Sequence, residues 1–434
     1  MSFKLETARG VRDILPDEQL LREHVLAVLQ KQFRLFGFQP LDTPVIERFD
    51  VLAAKFAAGE DSDAMSETYR LQDNGGRELA LRFDLTVPLS RFVGMNRTMA
   101  LPFSRYQIGT VYRDAPVRKG RYREFTQCDA DIVGSDSLLA EVTCIQLALA
   151  VYKELGMDVC IRVNNRQFLN DLLSFYGVED IPSVLIIIDK FDKIGQEGVL
   201  KLLQERSVAR AQEIVDALFQ GSTQDDRFTF FENLGMEQTG LFQLKTLLSF
   251  FSEKEVTFQP YIARGLGYYT GTVFEVDTPA LDSSIAAGGR YDNLINDYLD
   301  AAGISSPRRY PSVGISFGLD RMVDVLQAQG FSSQNIAATR ILLVSLDQDK
   351  TTINYAQELR AKNIPTAIDM SGKKLGKIFQ YADQQGIPFV GVIGEEEVSS
   401  STVSLKELSS GEQESLSLPL LIEKVSLYGN NERM

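Results

Sequence analysis

Histidine is almost absent from this sequence, and its scarcity excludes several kinds of chemistry. His24 is the only histidine among 434 residues, and it lies beside Leu21, Val25 and Val28 in a helical apolar pattern. That pattern predicts a packing role. Serine–histidine triads, histidine-rich metal sites and histidine general bases are therefore nearly excluded. Any chemistry must rely on arginine, carboxylate, tyrosine and backbone groups.

Long apolar runs, zinc-like cysteine spacing and a signal-like N-terminus are also missing. The apolar stretch SVLIII ends at Asp189, far short of the ~20 residues needed to span a bilayer. The N-terminal sequence MSFKLETARGVRD lacks the apolar core of a signal peptide. Cys128, Cys144 and Cys160 are odd in number and lack zinc spacing, so no metal site from histidine or cysteine is expected. We therefore expect a cytoplasmic protein without a membrane segment.

Basic residues are outnumbered by acidic ones, which gives a formal net charge of −14. This balance argues weakly against indiscriminate nucleic-acid binding, which needs many lysine and arginine contacts to phosphates. It leaves room for a local basic patch. The 44% hydrophobic and 24% charged composition is that of a globular protein, and the length predicts two or three domains.

The order of predicted elements indicates how those domains are arranged. A helix is expected from about Pro16 to Leu35, and a strand ending at Asp84 is expected before a helix entered through Thr86 and Pro88. The alternating runs LPFSRYQIGTVYRD and YREFTQCDADIVG predict two antiparallel strands joined by the basic loop APVRKGR.

The second half of the sequence changes pattern twice. Residues at about 166–255 are mostly helical in pattern and are interpreted as an insertion. A polar linker is expected at 327–340, and strands alternating with helices over 341–434 predict a small α/β domain with a largely parallel sheet. Residues 1–330 are assigned to the main domain.

The basic hairpin carries the densest chemistry. Its charged residues and the aromatic residues beside them are Arg113, Arg118, Lys119, Arg121, Arg123, Tyr112, Tyr122 and Phe125. Guanidinium groups suit phosphate oxygens and aromatic faces can stack on a purine. A solvated charged hairpin is the alternative interpretation.

Further cations and carboxylates are expected to share one sheet. Strand alternation places Gln127, Asp129 and Asp131 on one face of the returning strand. Four arginines (Arg113, Arg264, Arg290 and Arg321) could together meet a substrate with several negative charges, such as a nucleoside triphosphate. A surface position for Arg321 and a simple turn at the glycine pair before Arg290 remain alternatives. Neither a P-loop nor a dinucleotide-binding glycine motif is present.

In this order, the motifs resemble those of the histidyl-tRNA synthetases, a family of class II aminoacyl-tRNA synthetases. FGFQPLDTPVIE is similar to motif 1, YRDAPVRKGRYREFTQCDADIVG to motif 2 with its loop, and PSVGISFGLDRMV to motif 3. ARGLGYYTG and AAGGRYDNLI resemble the two histidine-specific signatures of the family. The resemblance implies an α+β catalytic domain with an antiparallel sheet flanked by helices, a helical insertion, and a C-terminal α/β anticodon-binding domain. It also implies a homodimer.

The resemblance implies roles for individual residues. Histidine would be bound by one set: Asp84, Thr86, Gln127, Asp131, Tyr268 and Tyr269. ATP, with Mg²⁺ expected beside it, would be bound by another: Arg113, Arg121, Phe125 and Arg321. Arg113 and Arg264 would be catalytic, lying on either side of the α-phosphate. Contacts to tRNA(His) are expected from Arg118, Lys119, Lys373, Lys374 and Lys377, although a solvated face explains the last three equally well.

The sequence departs from the family signature at Gly267, where the family usually carries aspartate. Its loss could weaken the orientation of Arg264 or of the tyrosines. The main hypothesis is a homodimeric ligase that activates L-histidine and charges tRNA(His). The alternatives are a catalytically silent histidine sensor that resembles the regulatory subunit of ATP phosphoribosyltransferase, and a module that only binds RNA. Neither alternative would need the C-terminal domain together with the full arginine set.

Overall fold

The computed structural model describes residues 4–53, 66–117, 122–264, 268–331 and 338–427. The chain divides into two compact units. The first unit comprises Met1–Asp13 and Val25–Gln329, and the second comprises Ile14–His24 and Gly330–Met434.

The strands define one large sheet and two smaller ones. In chain order they are β1 (Gln39–Pro40), β2 (Ile46–Arg48), β3 (Arg70–Gln72), β4 (Glu78–Leu81), β5 (Phe103–Tyr112), β6 (Glu124–Val133), β7 (Cys160–Asn165), β8 (Val256–Phe258), β9 (Thr272–Thr278), β10 (Leu281–Arg290), β11 (Ser312–Gly318), β12 (Ile341–Ser345), β13 (Thr366–Ile368), β14 (Phe389–Ile393), β15 (Thr402–Glu407) and β16 (Gln413–Ser417).

The helices cover the sheets and fill the region between β7 and β8. In chain order they are α1 (Pro16–Leu35), α2 (Phe49–Ala53), α3 (Thr86–Met95), α4 (Leu139–Glu154), α5 (Arg166–Phe175), α6 (Ile181–Ile188), α7 (Phe191–Glu205), α8 (Ala211–Leu218), α9 (Gln224–Glu232), α10 (Thr239–Leu248), α11 (Leu294–Ala301), α12 (Leu319–Ala328), α13 (Asp349–Ala361), α14 (Leu375–Gln384), α15 (Glu395–Ser400) and α16 (Leu418–Leu427). In the described part of the chain, no helix is both long and apolar enough to span a membrane.

The main sheet lies in the first unit and has the order β1-β5-β6-β11-β10-β9-β7-β8. Its five central pairings are antiparallel, whereas the edge pairs β1–β5 and β7–β8 are parallel. The prediction of an antiparallel sheet flanked by helices is thus confirmed for the centre, with parallel strands added at both edges. A separate antiparallel sheet has the order β2-β4-β3.

Local sequence explains the end of α1 and the start of α3. The helix predicted from Pro16 to Leu35 has those bounds, and Gly37 follows it with a φ of +79°, a conformation that favours glycine at a helix end. The strand expected to end at Asp84 ends at Leu81 instead. Asp84 accepts a 3.0 Å hydrogen bond from the backbone N–H of Val87, so it caps the first turn of α3 rather than extending β4.

Six helices, α5–α10, lie between β7 and β8. Phe168 of α5 forms their centre, with ring centroids 4.8 Å from Phe231 and 5.4 Å from Phe258. Gly240 lies against the backbone of Phe168, where a Cβ atom would come within 2.1 Å of the Phe168 nitrogen. These helices therefore pack directly against β8, an edge strand of the main sheet.

The second unit contains a five-stranded sheet in the order β13-β12-β14-β15-β16. The pairs within β13-β12-β14 are parallel and the remaining pairs are antiparallel. Its core includes Leu343, Phe389 and Leu421, all of which are buried. The α/β character of this unit is as expected, but its sheet is mixed and not largely parallel, since two of its four pairings are antiparallel.

Candidate functional site

The centre of the main sheet holds Asp131 between two strands and a tyrosine. Asp131 lies on β6, opposite Arg105 of β5 and Gly314 of β11. Its Oδ2 atom lies 2.8 Å from Nη2 of Arg105, and its Oδ1 atom accepts a 2.5 Å hydrogen bond from the Tyr291 hydroxyl. All of these side chains are buried, so the carboxylate is held by a hydrogen bond at one oxygen and by a close cation at the other.

Gly314 leaves the space that this carboxylate occupies. A Cβ atom at Gly314 would lie 2.0 Å from Oδ1 and 2.7 Å from Cγ of Asp131. Any side chain at this position would displace the carboxyl group. The glycine is therefore part of the carboxylate-binding geometry and not only a flexible point of the strand.

Asp129 lies on the same face of β6 and is linked to a short chain of polar groups. Nε2 of Gln127 donates to Ser316 Oγ at 3.1 Å, and Ser316 Oγ donates to Asp129 Oδ1 at 2.5 Å. Burial raises the pKa of Asp129 to about 7, against the opposing effect of Arg105 and with a further contribution from Asp131. Burial likewise raises the pKa of Asp131, and Arg105 again acts in the opposite direction. Asp129 therefore takes up a proton more readily than an exposed carboxylate does.

Three tyrosines continue from Asp131 into one aromatic cluster. The ring of Tyr291 lies 6.1 Å from that of Tyr268, edge to face, and the Tyr268 ring lies 4.6 Å from that of Tyr269. Burial raises the pKa of Tyr268 and that of Tyr291 well above the ordinary value. These phenols therefore stay neutral and can donate hydrogen bonds at neutral pH.

The glycine pair before Arg290 makes room for this cluster. A Cβ atom at Gly288 would lie 2.1 Å from the carbonyl oxygen of Gly314, and one at Gly289 would lie 2.8 Å from the ring of Tyr269. The simple-turn interpretation of this pair is wrong, because both glycines lie within β10. They permit close packing of neighbouring strands and of the tyrosine.

Asp84 and Thr86 lie at the start of α3, and Asp84 interacts electrostatically with the same cluster. The negative charge of Asp84 contributes to the raised pKa of Asp129, Asp131 and Tyr268. Thr86 is the first residue of the helix. The sequence-predicted residues Asp84, Gln127, Asp131, Tyr268 and Tyr269 are therefore connected by contact or by electrostatic interaction.

Arg264 has an unusual backbone conformation and a buried carboxylate partner. Its φ is +49°, a left-handed value that is uncommon for residues other than glycine. Its Nη1 atom lies 2.8 Å from Oε1 of Glu275 on β9. Burial alone would lower the pKa of Arg264, but Tyr269 and Glu275 raise it above the ordinary value, so the guanidinium stays charged. Gly267, which departs from the family signature, lies outside the described residues.

Glu275 also connects Arg264 to Arg321. The Ser284 hydroxyl donates to Glu275 Oε2 at 3.1 Å, and the Ser284 carbonyl oxygen accepts a hydrogen bond from Nη1 of Arg321. Arg162 of β7 lies 3.2 Å from the same Oε2 atom. Burial would raise the pKa of Glu275, but Arg264 and Arg162 lower it overall. Glu275 is therefore ionised. It contacts Arg264 directly and Arg321 through Ser284, and both arginines are predicted to bind phosphate.

Arg113 lies just beyond β5 between two aromatic rings. Its guanidinium carbon lies 4.2 Å from the ring centroid of Phe83 and 5.1 Å from that of Phe125. Its Nε atom donates to the Phe83 carbonyl oxygen at 3.3 Å. The predicted adenine-stacking residue Phe125 is thus a neighbour of Arg113.

The expectation that Arg290 is a fourth cation for the substrate is wrong. Its Nε and Nη2 atoms donate to both oxygens of Glu141 at 2.6 and 2.5 Å. Its Nη1 atom donates to Asp292 Oδ1 and to the Ser135 carbonyl oxygen, each at 2.9 Å. Arg290 is buried and fully engaged within the protein, so it holds α4 to β10.

The remaining predicted residues fall into two groups. Arg118, Lys119 and Arg121 lie outside the described residues. Lys373, Lys374 and Lys377 are exposed at the start of α14 in the second unit. Lys373 and Lys377 also line a cavity of about 510 Å³ in that unit, together with Asp369 and Tyr381.

Sequence reasoning missed Arg105, Glu275, Ser316 and Tyr291. Arg105 and Glu275 each lie on a strand whose alternation was visible, but their partners are distant in sequence. Tyr291 follows Arg290 in the motif GGRYD, and the prediction gave a substrate role to the arginine but none to the tyrosine. In the β5–β6 hairpin, paired residues lie at equal distances in sequence from position 118. The sequence therefore predicts the pairing of Arg105 with Asp131 once that centre is known.

Comparison with known proteins is consistent across sequence and structure. A family model described as histidyl-tRNA synthetase matches residues 10–322, and one described as an anticodon binding domain matches residues 340–427. The histidine–tRNA ligase 1 of Bacillus anthracis is 36% identical over 428 residues, which cover 95% of this chain and 97% of that protein. The histidine–tRNA ligase of Helicobacter acinonychis is 34% identical over 444 residues, covering 98% of each.

A solved structure gives the same result. The crystal structure of histidyl-tRNA synthetase from Nostoc sp. PCC 7120 superposes with a TM-score of 0.84 at 29% identity, covering 98% of this chain and 99% of that one. A structure described as an ATP phosphoribosyltransferase regulatory subunit/histidyl-tRNA synthetase from Bacillus halodurans shares the fold, with a TM-score of 0.73 at 21% identity over 88% of this chain and 97% of that one.

Proposed function

The chain belongs to the histidyl-tRNA synthetase family, and from that premise we propose that the residues around Asp131 bind histidine and those around Arg264 bind ATP. The chain is a histidine–tRNA ligase, which activates L-histidine with ATP to histidyl-adenylate and pyrophosphate and then transfers histidine to the 3′ end of tRNA(His). The observation that carries this conclusion is that the family match over residues 10–322 contains the buried cluster of carboxylates and phenols. The histidine-sensing alternative is not favoured, since the anticodon-binding domain is present.

Recognition of the imidazole ring is assigned to Asp131 and Tyr269. Imidazole has one donor and one acceptor nitrogen, so a carboxylate and a phenol can bind both. The fixed position of Asp131 and the aromatic cluster that reaches Tyr269 support this assignment. An amino acid without a ring N–H would leave the buried carboxylate unpaired, which is how such sites reject analogues by large factors. Tyr268 lines the pocket.

The amino and carboxylate groups of histidine are assigned to Asp84, Thr86 and Gln127. Oε1 of Gln127 is buried and has no hydrogen-bond partner among the residues that the structure describes, which makes it an acceptor for an ammonium group. The negative charge of Asp84 in the same region suits the same cation.

Activation of histidine is assigned to Arg113 and Arg264 on either side of the α-phosphate. A carboxylate oxygen of histidine attacks the α-phosphorus, the bond to the bridging oxygen breaks, and pyrophosphate leaves with that electron pair. The protein supplies position and positive charge for the phosphoryl oxygens. Arg321 would hold the far phosphates and Phe125 would stack on adenine. Arg121, assigned to ATP as well, lies outside the described residues.

Transfer then requires only a second displacement at the same site. A hydroxyl of the terminal ribose of tRNA attacks the histidyl carbonyl carbon. The bond between that carbon and the phosphate oxygen breaks, and AMP leaves with that oxygen. Mg²⁺ is proposed to enter with ATP, because this ion commonly binds substrate phosphates and keeps several waters. The described residues contain no group of three or more histidine, cysteine, aspartate or glutamate side chains placed to hold a metal ion.

The chain is proposed to act as a cytoplasmic homodimer. The exposed apolar side chains of Leu35, Val45 and Ile46, in and beside the segment that resembles motif 1, support a subunit interface there. The free cysteines fit a reducing compartment. The lysines of α14 and the basic hairpin loop, with Arg118 and Lys119, are proposed to contact tRNA(His).

Pyrophosphate exchange tests the proposed function. Purified protein should exchange pyrophosphate into ATP with histidine and with none of the other nineteen amino acids. Arg264→Ala should lower this rate by about 10²–10³-fold, the usual loss for one preorganised donor. Arg77→Ala, which removes an exposed arginine paired with Asp73, should leave the rate unchanged. An Arg264→Ala protein with normal exchange would refute the catalytic role.

A truncation tests the anticodon assignment. Deletion of residues 341–434 should reduce tRNA charging far more than adenylate synthesis, because adenylate formation needs only the first unit. Equal losses in both reactions would contradict an anticodon role for the second unit.

A further inference from the structure

Arg105 has no role in the assignments above, yet it is a fully buried cation beside the histidine site. Its exposed fraction is 0%. Its Nη2 atom lies 2.8 Å from Asp131 Oδ2 and donates to the Leu85 carbonyl oxygen at 3.2 Å. Leu85 separates Asp84 from Thr86, so one guanidinium group connects the two regions to which the ring and the amino group of histidine are assigned.

We propose that Arg105 is a positioning residue for histidine recognition, which keeps the Asp131 carboxylate ionised and fixed in the orientation that the imidazole ring requires. This proposal rests on the proposed role of Asp131. Arg105 is fully buried and lies in direct contact with the Asp131 carboxylate, so the proposed role is exerted through Asp131.

The local charges explain why such a residue is needed. Three carboxyl groups (Asp84, Asp129 and Asp131) influence one another in a buried region, and Arg105 opposes the effect of burial on two of them. Without this cation, an isolated buried carboxylate neutralises by taking up a proton. A protonated carboxyl group has lost the charge that favours a ring N–H.

The local geometry explains why a guanidinium suits the task. Asp131 and Arg105 are directly opposite each other on β6 and β5, so the pair needs no long, flexible reach. Tyr291 donates a hydrogen bond to Oδ1, Arg105 lies at ion-pair distance from Oδ2, and the missing side chain of Gly314 leaves the space between β6 and β11. Each carboxylate oxygen has a second lone pair, which remains for the substrate.

The test is a double-mutant cycle on histidine-dependent pyrophosphate exchange, with KM measured for histidine and for ATP. Arg105→Met should raise KM for histidine at least about tenfold, the factor that corresponds to one pKa unit of lost carboxylate interaction. KM for ATP should stay within about twofold, the scatter expected for a distant site. Arg105→Lys, which keeps the charge but not the planar guanidinium, should recover part of the loss.

The cycle separates positioning from general structural support. Asp131→Asn should itself raise KM for histidine, and the Arg105→Met/Asp131→Asn protein should be no worse than Asp131→Asn alone, because Arg105 acts through that carboxylate. Independent, multiplying losses would overturn the proposal, as would equal losses for histidine and ATP. If Arg105→Met alone does not fold, the Arg105→Met/Asp131→Asn and Arg105→Lys proteins test the proposal instead, since neither leaves an unpaired buried charge.

Failure of the underlying assignment has a different signature. If Asp131→Asn binds histidine normally, the proposed role of Asp131 is wrong, whatever Arg105 does. If Asp131→Asn loses histidine but Arg105→Met does not, the ring is read as proposed and the positioning role of Arg105 is refuted.

Discussion

Replacement of Arg290 by methionine should destabilise the protein without weakening ATP binding. Arg290 makes a two-bond ion pair with Glu141, with the two side chains 8% and 3% exposed. Its third nitrogen is taken by Asp292 and a backbone carbonyl. Removal of one partner of a buried pair costs about 3–5 kcal/mol, because the other charge is left uncompensated. At about 2.1 cal/mol/K of unfolding entropy per residue, that corresponds in the first unit to a fall in Tm of about 4–8 °C.

Two quantities are measured for each variant: Tm from thermal unfolding, and the KM for ATP in pyrophosphate exchange. Arg77→Met is the matched control, because Arg77 pairs with Asp73 at 2.6 Å but is 80% exposed, and its loss should shift Tm little. Arg290→Met combined with Glu141→Gln should regain part of the stability, since no unpaired carboxylate remains. A normal Tm with a raised KM for ATP would show that Arg290 is a substrate cation after all and would refute the structural assignment.

Two further predictions concern Glu275 and Asp129. Glu275→Gln should lower kcat for pyrophosphate exchange about 10–10²-fold, because a charge-assisted hydrogen bond that orients Arg264 is worth about 1.5–3 kcal/mol; an unchanged kcat with good protein would contradict this role of Glu275. Asp129 has a folded-state pKa of about 7 against an ordinary 3.8, so its contribution to stability is present at low pH and is lost as the pH rises through this window. Asp129→Asn should therefore stabilise the protein more at pH 8 than at pH 5, by at most about 3 kcal/mol, because about two units of this window lie above pH 5 and each is worth 1.36 kcal/mol, and equal Tm differences at the two pH values would refute the assignment.

Short-range pattern was enough to predict the elements that position the site. Helix α1 has the predicted bounds, and the two alternating runs around the basic loop form the β5–β6 hairpin. These features depend on neighbours a few residues apart, such as the proline that begins α1 and the glycine that follows it. Period-two alternation also placed Gln127, Asp129 and Asp131 on one face.

Features that depend on distant partners could not be predicted in this way. The fate of Arg290 is decided by Glu141, 149 residues earlier in the chain. The parallel edge strands β1 and β8 are only two and three residues long, too short for a periodic signal. The prediction placed Asp84 at the end of a strand. The sequence does not distinguish a strand end from a residue whose side chain accepts a hydrogen bond from the first turn of the next helix, as Asp84 does from Val87. The roles of individual site residues came from the family resemblance and stay predictions until the variants are measured.

The parallel pairing of β7 with β8 makes the six helices between them more than an appendage. Two parallel neighbours cannot be joined by a tight turn, because the end of one lies at the opposite edge of the sheet from the start of the next. The helices therefore serve as the obligatory return path for the polypeptide. A shortened protein would need a bridge of roughly a dozen residues across the sheet in place of α5–α10, whereas enlargement of this region would leave the strand order untouched.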